Sequence, residues 1–320
     1  MGLMIGGVWE QEDRDRADRS GAFVRPDSGF RDRIEPGGRF PPEAGRYHLY
    51  ISLACPWAHR TRIFRALKGL QGMIGLSVVH WLMAENGWTF TPAEGVVPDP
   101  VMNARFLYEL YARADPRFSG RVTVPVLWDR ATDSIVNNES AEIIRIFNSA
   151  FDGIGAAPGD YYPPALREEI DALNARIYKT VNNGVYRAGF ARTQVAYDAA
   201  VQTLFETLDW LEERLARQPY LCGDRITEAD WRLFTTLIRF DAVYHGHFKC
   251  NLRRIADYPA LWDFTRSLYQ TRGVAETVDF GHIKRHYYMS HTWVNPTRIV
   301  PAGPLLELTA PGSRVPRLPG

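Results

Sequence analysis

The stretch Ile51-Ser-Leu-Ala-Cys55-Pro-Trp-Ala-His-Arg60 joins a strand pattern to a helix pattern through a single cysteine. Upstream, apolar residues at 47, 49, 51 and 53 alternate with His48, Tyr50 and Ser52, which predicts a half-buried strand. Downstream, apolar side chains recur at helical spacing (Ile63, Ala66, Leu67 and Leu70), and basic side chains lie mostly on the other face (Arg60, Arg62, Arg65 and Lys68). The sequence therefore predicts that Cys55 lies at a strand-to-helix turn.

Cys55 is the candidate nucleophile of the chain. Pro56 suits the first helical position because it lacks the amide hydrogen that would be unpaired there. The positive end of a helix favours thiolate over thiol, and nearby His59 and Arg60 are expected to add to this effect and to lower the pKa of the Cys55 thiol. A buried structural cysteine is the alternative interpretation.

The lack of a second cysteine near Cys55 limits its redox chemistry. A Cys-x-x-Cys motif would have its second thiol at position 58, where this chain has Ala58, so an intramolecular disulfide cannot form there and an external thiol must complete the reaction. A strand, a lone Cys-Pro and a helix resemble the monothiol, glutaredoxin-like half of glutathione transferases that carry a catalytic cysteine. In that family the external thiol is glutathione.

Size and composition indicate a globular protein with a full core. The chain has 320 residues, 45% of them hydrophobic, which is enough for two domains, and its net charge of +1 argues against nucleic-acid or membrane partners. Three cysteines do not make a disulfide framework, so a reducing compartment is expected. A leader pattern is not apparent in the first 40 residues, and an apolar run of about 18 residues is missing, so we expect a cytoplasmic protein.

The chain is expected to form an α/β thioredoxin-like N-terminal domain followed by an all-α glutathione-transferase C-terminal domain. The expected parts are an extended segment at 1–45, the thioredoxin-like glutathione-binding domain at 46–150, the helical domain at 165–285 and a C-terminal extension at 286–320. The extended segment, rich in Gly, Pro, Arg and Asp, would wrap the surface or be partly mobile. Alternating charges from Arg14 to Arg19 predict a solvated segment.

Two patterns support the helical half. A long helix is predicted by an apolar face at Tyr197, Val201, Leu204, Leu208, Leu211 and Leu215. A capping box is predicted from Thr227 to Asp230, with Ile226 and Trp231 as a hydrophobic staple. The same box is a hallmark of the helical domain of glutathione transferases.

The sheet half contains an unusual proline. Within it, Leu76 to Trp81 predicts a central strand, Val101 to Tyr111 a helix, and Ser134 to Val136 the return strand of a hairpin. Before that hairpin, Pro125 enters an apolar run, which predicts a cis bond at Val124-Pro125 that turns the backbone of Val124 towards an extended peptide. A trans proline on an edge strand is the alternative from sequence alone, but thioredoxin-like folds place such a proline next to the cysteine.

Two further features have both a structural and a functional interpretation. Trp88, in a turn-like setting, either covers a local core or covers a ligand. Ser140 follows Glu139 at a helix start, where it either caps free amides or, with those amides, grips a carboxylate, as Glu-Ser does in glutathione transferases for the γ-glutamyl end.

Four separated motifs narrow the resemblance. Cys55-Pro-Trp-Ala-His-Arg60, Asn86-Gly-Trp88-Thr-Phe90, Asn182 to Phe190, and Ser290 to Pro296 followed by Ile299 to Pro304 resemble the glutathionyl-hydroquinone reductases, the Xi class. The resemblance implies Cys55 as nucleophile, Tyr186 as proton donor or acceptor, and Tyr244 and Tyr287 as groups that favour the thiolate. It also implies a glutathione site made of Trp88, Arg121, Val122, Thr123, Val124, Pro125, Glu139 and Ser140. From sequence alone, core packing is the favoured interpretation of each tyrosine, since the chain has 15 of them.

The activity that this resemblance implies is glutathione-dependent reduction of glutathionyl-hydroquinones, with glutathione and glutathionylated quinols as partners, no nucleic acid or membrane partner, and a homodimer. Alternatives are an omega-like thioltransferase or dehydroascorbate reductase, and a non-catalytic transferase-like interaction module. His245, His247 and Cys250 form a weak metal-like cluster that we interpret as polar surface or helix-terminal residues, so no metal is expected.

Overall fold

The computed structural model describes residues 2–11, 17–314, 316 and 318–319. This part of the chain divides into two compact units. The sheet unit contains residues 2–11, Asp27–Pro158 and Thr277–Ser290, and the helical unit contains residues 17–26, Gly159–Glu276 and the described residues from His291 onward. Each unit is therefore assembled from segments that are distant in sequence.

The N-terminal 45 residues contain more regular structure than an extended segment. An antiparallel hairpin is formed by β1 (Leu3–Ile5) and β2 (Val8–Glu10), and Ile34 and Phe40 are buried farther along. Residues 12–16, which include the first half of the predicted solvated run from Arg14 to Arg19, lie outside the described residues. The sequence missed the hairpin because each strand has only three residues.

A mixed sheet forms the centre of the sheet unit. In the described part of the chain it consists of β3 (Tyr47–Ile51), β4 (Ile74–Val78), β5 (Val126–Asp129) and β6 (Ser134–Asn137), in the order β4-β3-β5-β6. The pair β3/β4 is parallel, and the pairs β3/β5 and β5/β6 are antiparallel. This is the expected thioredoxin-like sheet.

Two predictions about these strands were wrong in detail. All five residues of β3 are buried, so this strand has two covered faces instead of one, because it lies inside the sheet. The strand β4 begins before Leu76 and is an edge strand instead of a central one. On the outer side of β4, the backbone amides of Val78 and Val97 each donate to the carbonyl of the other residue.

The edge strand on the other side is covered by the N-terminal segment. The amide of Asp32 donates to the carbonyl of Val136, and the amide of Asn138 donates to the carbonyl of Phe30, both at 3.0 Å. Backbone groups of an unpaired edge would otherwise be open to another strand. Part of the segment predicted to wrap the surface thus pairs with β6.

Three helices of the sheet unit precede residue 159: α1 (Pro56–Leu67), α2 (Leu107–Ala114) and α3 (Ser140–Ser149). Helix α2 begins later than the predicted helix at Val101, because the Asp99 carboxylate accepts hydrogen bonds from the amides of residues 101, 102 and 104 and holds them in a turn. Arg60 and Lys68 were expected on the solvent face of α1 but are buried. The Lys68 ammonium pairs with Asp152 at 2.9 Å.

The helical unit contains, within its described residues, α4 (Arg167–Ile177), α5 (Gly184–Gly189), α6 (Gln194–Arg217), α7 (Glu228–Arg239) and α8 (Pro259–Tyr269). The predicted apolar face of α6 is confirmed, since its members from Val201 to Leu215 are buried. The capping box is confirmed as well: the Asp230 carboxylate accepts from the Thr227 amide at 2.7 Å, and Ile226 and Trp231 are both buried.

Short helical turns complete the connections. Two π-helical turns, Tyr178–Asn182 and Phe240–Tyr244, follow α4 and α7 without a break. Single 3₁₀ turns span Leu70–Gly72, Asp152–Ile154, Pro164–Leu166, Ile255–Asp257 and Ala275–Thr277. None of the helices in the described ranges is long and apolar enough to cross a bilayer.

The last helix, α9 (Phe280–Ser290), returns to the sheet unit. The expected boundary between residues 285 and 286 falls inside this helix, so the structure moves it to either end of Thr277–Ser290. Sequence patterns could not give this division, because α9 has the same local pattern wherever it packs.

Candidate active site

Cys55 occupies the turn that the sequence predicts. It is the residue immediately before α1, with Pro56 at the first helical position, and its side chain is half-buried. The Cys55 amide donates to the Ser52 carbonyl at 3.2 Å, and the Cys55 carbonyl accepts the first helical hydrogen bond, from His59, at 3.0 Å. The sulfur therefore projects at the positive end of a helix, a setting that favours thiolate.

The proline predicted beside the cysteine is in place. The Val124-Pro125 peptide bond is cis, and the Cys55 sulfur lies 3.7 Å from the Val124 carbonyl oxygen. Tyr111, which the sequence did not single out, holds this turn: its hydroxyl donates to the Thr123 carbonyl at 2.8 Å. Tyr111 is buried on α2, and its hydroxyl also accepts from the side-chain amide of Asn138 at 3.1 Å, so the turn is tied to the chain that leads into α3.

The three residues before the Val124-Pro125 turn differ in their exposure to solvent. Arg121 and Val122 are half-buried, and Thr123 is exposed. Because Thr123 is exposed and the neighbouring Val124 is buried, one side of this segment is open to solvent. The segment is therefore suited to pairing with an extended peptide.

Glu139 takes the capping role that the sequence offered for Ser140. The Glu139 carboxylate caps α3 by accepting from the Ala141 amide at 3.0 Å, and it also accepts from the Ser28 hydroxyl at 3.1 Å. Ser140 is the first residue of the helix, and its hydroxyl oxygen accepts from the Arg60 guanidinium at 3.4 Å. Capping is thus done by Glu139, and Ser140 links the starts of α1 and α3.

His59 and Arg60, expected to assist the thiolate, have other partners in the sheet unit. His59 Nε2 lies 2.7 Å from the Thr277 hydroxyl, and the Arg60 guanidinium stacks on the Trp57 ring at 4.6 Å. Both side chains are buried. Arg60 thus places a positive charge at the start of α3, beside Ser140.

Trp88 is buried in the sheet unit, with 5% of its surface exposed. Its ring stacks on His286 of α9, with ring centroids 4.9 Å apart and an interplanar angle of 25°. Trp88 therefore covers part of the local core of the sheet unit, and only a small edge of its ring is open to solvent.

The three candidate tyrosines fall in both units. Tyr287 lies on α9 of the sheet unit and is buried. Tyr186 and Tyr244 lie in the helical unit with ring centroids 6.0 Å apart, and Tyr244 ends the second π-helical turn. The guanidinium of Arg25 lies 4.9 Å from the Tyr186 ring centroid and donates to the Asn183 side chain at 2.8 Å. The sequence did not indicate Arg25, because the contact spans about 160 residues.

Two members of the His245, His247 and Cys250 cluster are buried, so they are not the polar surface residues that one of the two interpretations predicted, and His245 is half-buried. His247 is buried and its Nε2 lies 3.2 Å from Nδ1 of His291, and Cys250 is fully buried. Burial raises the pKa of the Cys250 thiol. A group of three or more His, Cys, Asp or Glu side chains arranged to hold a metal ion is not found among the described residues.

Comparisons with known proteins identify the family of the chain. The family models "Glutathione S-transferase, N-terminal domain" and "Glutathione S-transferase, C-terminal domain" match residues 54–150 and 194–267. PcpF of Sphingobium chlorophenolicum, a glutathionyl-hydroquinone reductase, is 59% identical over 308 residues, which cover 96% of this chain and 98% of PcpF. The chain belongs to the glutathionyl-hydroquinone reductase family.

Other members of the glutathionyl-hydroquinone reductases and the Xi class are similarly close. YqjG of Escherichia coli K12 is 55% identical over 98% of both chains, and its glutathione-bound structure has a TM-score of 0.90. That superposition has 53% identity and covers 97% of this chain and 98% of YqjG. A Xi class transferase from Natrialba magadii has a TM-score of 0.92 at 49% identity, covering 99% and 98% of the two chains. The predicted family and its two-domain fold are confirmed.

Proposed function

We propose that this protein reduces glutathionyl-hydroquinones to hydroquinones, with Cys55 as the nucleophile and glutathione as the reductant. The observation that carries the proposal is the half-buried Cys55 sulfur at the start of α1, 3.7 Å from the Val124 carbonyl beside Pro125. Position 58 is alanine, so a second thiol from outside must release the enzyme. Family membership supports glutathione as that thiol.

The first half-reaction transfers the glutathionyl group to Cys55. An aryl thioether resists thiolate attack because the leaving carbanion is too basic, so the quinol ring first tautomerises to a keto form that is protonated at the sulfur-bearing carbon. The Cys55 thiolate then attacks the glutathionyl sulfur, the sulfur–carbon bond breaks, and its electron pair leaves on the ring as a phenolate. The products are a Cys55-glutathione mixed disulfide and, after protonation, the hydroquinone.

The second half-reaction restores the thiolate. A second glutathione thiolate attacks the glutathionyl sulfur of the mixed disulfide, which forms oxidised glutathione and releases Cys55 as thiolate. Each quinol reduced consumes one glutathione beyond the one it carried. Because the two substrates react in separate steps, the kinetics are expected to be ping-pong.

We assign the supporting roles as follows. The α3 amides with Glu139 and Ser140 would hold the γ-glutamyl carboxylate, since a helix start carries partial positive charge and Arg60 adds a guanidinium there. The remaining residues of the proposed glutathione site are Trp88, Arg121, Val122, Thr123, Val124 and Pro125. Tyr186 would move the proton to and from the ring, and hydroxyls of Tyr244 and Tyr287 would favour the thiolate.

We also propose that the protein works in the cytoplasm as a homodimer. None of the three cysteines, all of which lie in the described residues, forms a disulfide, which supports a reducing compartment. Glutathione turnover requires the same compartment, because the second half-reaction consumes reduced glutathione.

The test is direct. The purified protein is incubated with glutathione and a panel of glutathionylated quinols, and free quinol and oxidised glutathione are measured by mass spectrometry. We expect one molecule of each per turnover, and dehydroascorbate in the same panel tests the omega-like alternative. If no member of the panel releases free quinol, the proposal is contradicted.

A further inference from the structure

One face of α9 is bonded to the loop that contains Trp88. His282, His286 and Ser290 follow one another at intervals of four residues, so their side chains share a face of the helix. All three bond to backbone atoms of the Trp88 loop, which we define as residues 81–94. Near one end of the loop, the Met83 amide donates to the Ser290 hydroxyl at 3.0 Å, and at the other end His282 Nε2 donates to the Glu94 carbonyl at 2.6 Å.

His286, between these two residues, makes two contacts at once. Its Nδ1 lies 2.9 Å from the Trp81 carbonyl oxygen, and because a carbonyl only accepts, Nδ1 carries the hydrogen. That bond fixes the plane of the imidazole ring. The same ring stacks on the Trp88 indole at 4.9 Å, so the orientation of His286 sets the orientation of Trp88.

Gly95, the residue immediately after the Trp88 loop, packs closely against α9. Gly95 has φ +75°, and a Cβ atom built there would lie 2.5 Å from His282 Nε2. Any larger residue would therefore push the loop off the helix. The Arg285 guanidinium adds a contact 3.3 Å from the Glu94 carboxylate.

The segment before α9 is attached to the helix that begins after Cys55. The Thr277 hydroxyl lies 2.7 Å from His59 Nε2, and the Thr277 carbonyl accepts from the Arg62 guanidinium at 3.2 Å. Within the sheet unit, Thr277 bonds to α1, and the α9 face that carries His282, His286 and Ser290 bonds to the Trp88 loop. These two sets of bonds join α1 to the Trp88 loop. The joining element comes from more than 200 residues downstream of Cys55.

We propose that His286 is a positioning residue for glutathione binding, which acts by holding the Trp88 ring in its binding orientation. The inference rests on the proposed function, in which Trp88 holds glutathione. Without the stack, the indole would sample several rotamers, and binding would have to order it again. Loss of the stack should therefore weaken glutathione binding and leave the chemical step at Cys55 unchanged.

The experiment compares two apolar replacements of similar size in the full-length protein. His286→Phe and His286→Leu both lose the bond to the Trp81 carbonyl, but only phenylalanine can stack on Trp88. Each is made together with Cys55→Ser, which prevents turnover, and glutathione affinity is measured by calorimetry. We expect affinity about tenfold weaker for leucine and within about threefold of the parent for phenylalanine.

The same measurement in a protein that also carries Trp88→Ala completes a double-mutant cycle between positions 286 and 88. If His286 acts through Trp88, His286→Leu has no further effect on affinity once the indole is gone. Lys284→Ala on another face of α9 is the matched control, and circular dichroism melts confirm that each variant is folded. In the Cys55-containing enzyme, His286→Leu should raise KM for glutathione while kcat stays the same.

Four results would overturn the inference, and together they separate its failure from that of the proposed function. Equal affinities for the phenylalanine and leucine variants, or an undiminished effect of leucine without Trp88, would show a packing role only. A leucine variant that binds glutathione like its parent would remove the positioning role but leave the proposed function intact. A Cys55→Ser parent that does not bind glutathione would refute both.

Discussion

Cys55 and Cys250 carry the same thiol in opposite surroundings. The Cys55 sulfur lies at a helix start in the sheet unit, half-buried, 3.7 Å from a carbonyl oxygen. The Cys250 sulfur, in the helical unit, also lies near a carbonyl, that of Phe248 at 3.8 Å, but it is fully buried. Burial raises the pKa of the Cys250 thiol, and it raises the pKa of Cys222 to about 12.

The difference teaches that neither a carbonyl contact nor the residue type makes a cysteine reactive. Access to solvent and the partial positive charge of a helix start distinguish Cys55. The two buried thiols behave as small apolar side chains.

The strongest test of this comparison removes each sulfur in turn. Cys55→Ser should lower quinol release on the order of 10⁴-fold or more, because serine is a poor nucleophile here and cannot form the mixed disulfide. Turnover is followed by chromatography of the free quinol. The matched control, Cys250→Ala, should turn over like the parent once its folded fraction is known. Retained activity of Cys55→Ser would refute the mechanism.

Alkylation tests the same contrast without mutation. At pH 7.5 iodoacetamide should label Cys55 on the order of a thousandfold faster than Cys222, whose thiol is protonated well beyond pH 9. Peptide mass spectrometry after timed quenching gives the three rates. Labelling of all cysteines at similar rates in folded protein would show that burial does not protect the helical unit.

Replacement of Tyr186 asks whether the helical unit supplies chemistry or only packing. Tyr186→Phe keeps the ring but removes the proposed proton donor, so turnover should fall about 10²-fold or more, within the usual range for general acid–base catalysis. Glutathione affinity should not change. Unaltered kcat on glutathionyl-menadiol would leave Tyr186 as a core residue, and Tyr244→Phe provides the comparison with a fully buried ring.

The smallest effect concerns burial in the sheet unit. His48 is buried, its Nε2 lies 2.8 Å from the Ser77 hydroxyl, and burial lowers the pKa of His48 to about 4. Since the unfolded imidazole takes up its proton near pH 6.5, this group contributes stability above pH 6.5 that is lost as pH falls towards 4. The loss amounts to roughly 3 kcal/mol.

His48→Gln tests that prediction. A glutamine amide can still donate to the Ser77 hydroxyl but does not titrate, so the variant should lose less stability than the parent between pH 7 and pH 4.5. Urea unfolding at the two pH values gives the free energies. Equal losses in both proteins would mean that His48 is not the group responsible.

Local patterns predicted much of the sheet unit. The strand, Cys55, Pro56 and helix are adjacent in sequence, so their geometry depends on neighbouring residues only. Pro125 was recognised through its place in the fold family, and the cis bond is present. The capping box at Thr227 was equally local.

Distant contacts were not predicted. Arg60 has the sequence setting of a surface residue on α1, and only the packing of the sheet unit buries it beside Trp57 and Ser140. The Tyr111 hydroxyl supports the Val124-Pro125 turn by its hydrogen bond to the Thr123 carbonyl, and no periodic pattern in the sequence indicates this bond. The residues of the π-helical turn that ends at Tyr244 do not differ in type from those of an ordinary α-helix, so the sequence does not reveal the turn.

By itself the sequence determined the candidate nucleophile and the fold family, because both are set by short motifs whose physical constraints act within one turn of a helix or strand. Tertiary structure alone decided which thiols are accessible and how α9 meets the Trp88 loop. Those properties depend on solvent exclusion and on contacts between residues more than 100 positions apart, which a linear pattern does not specify.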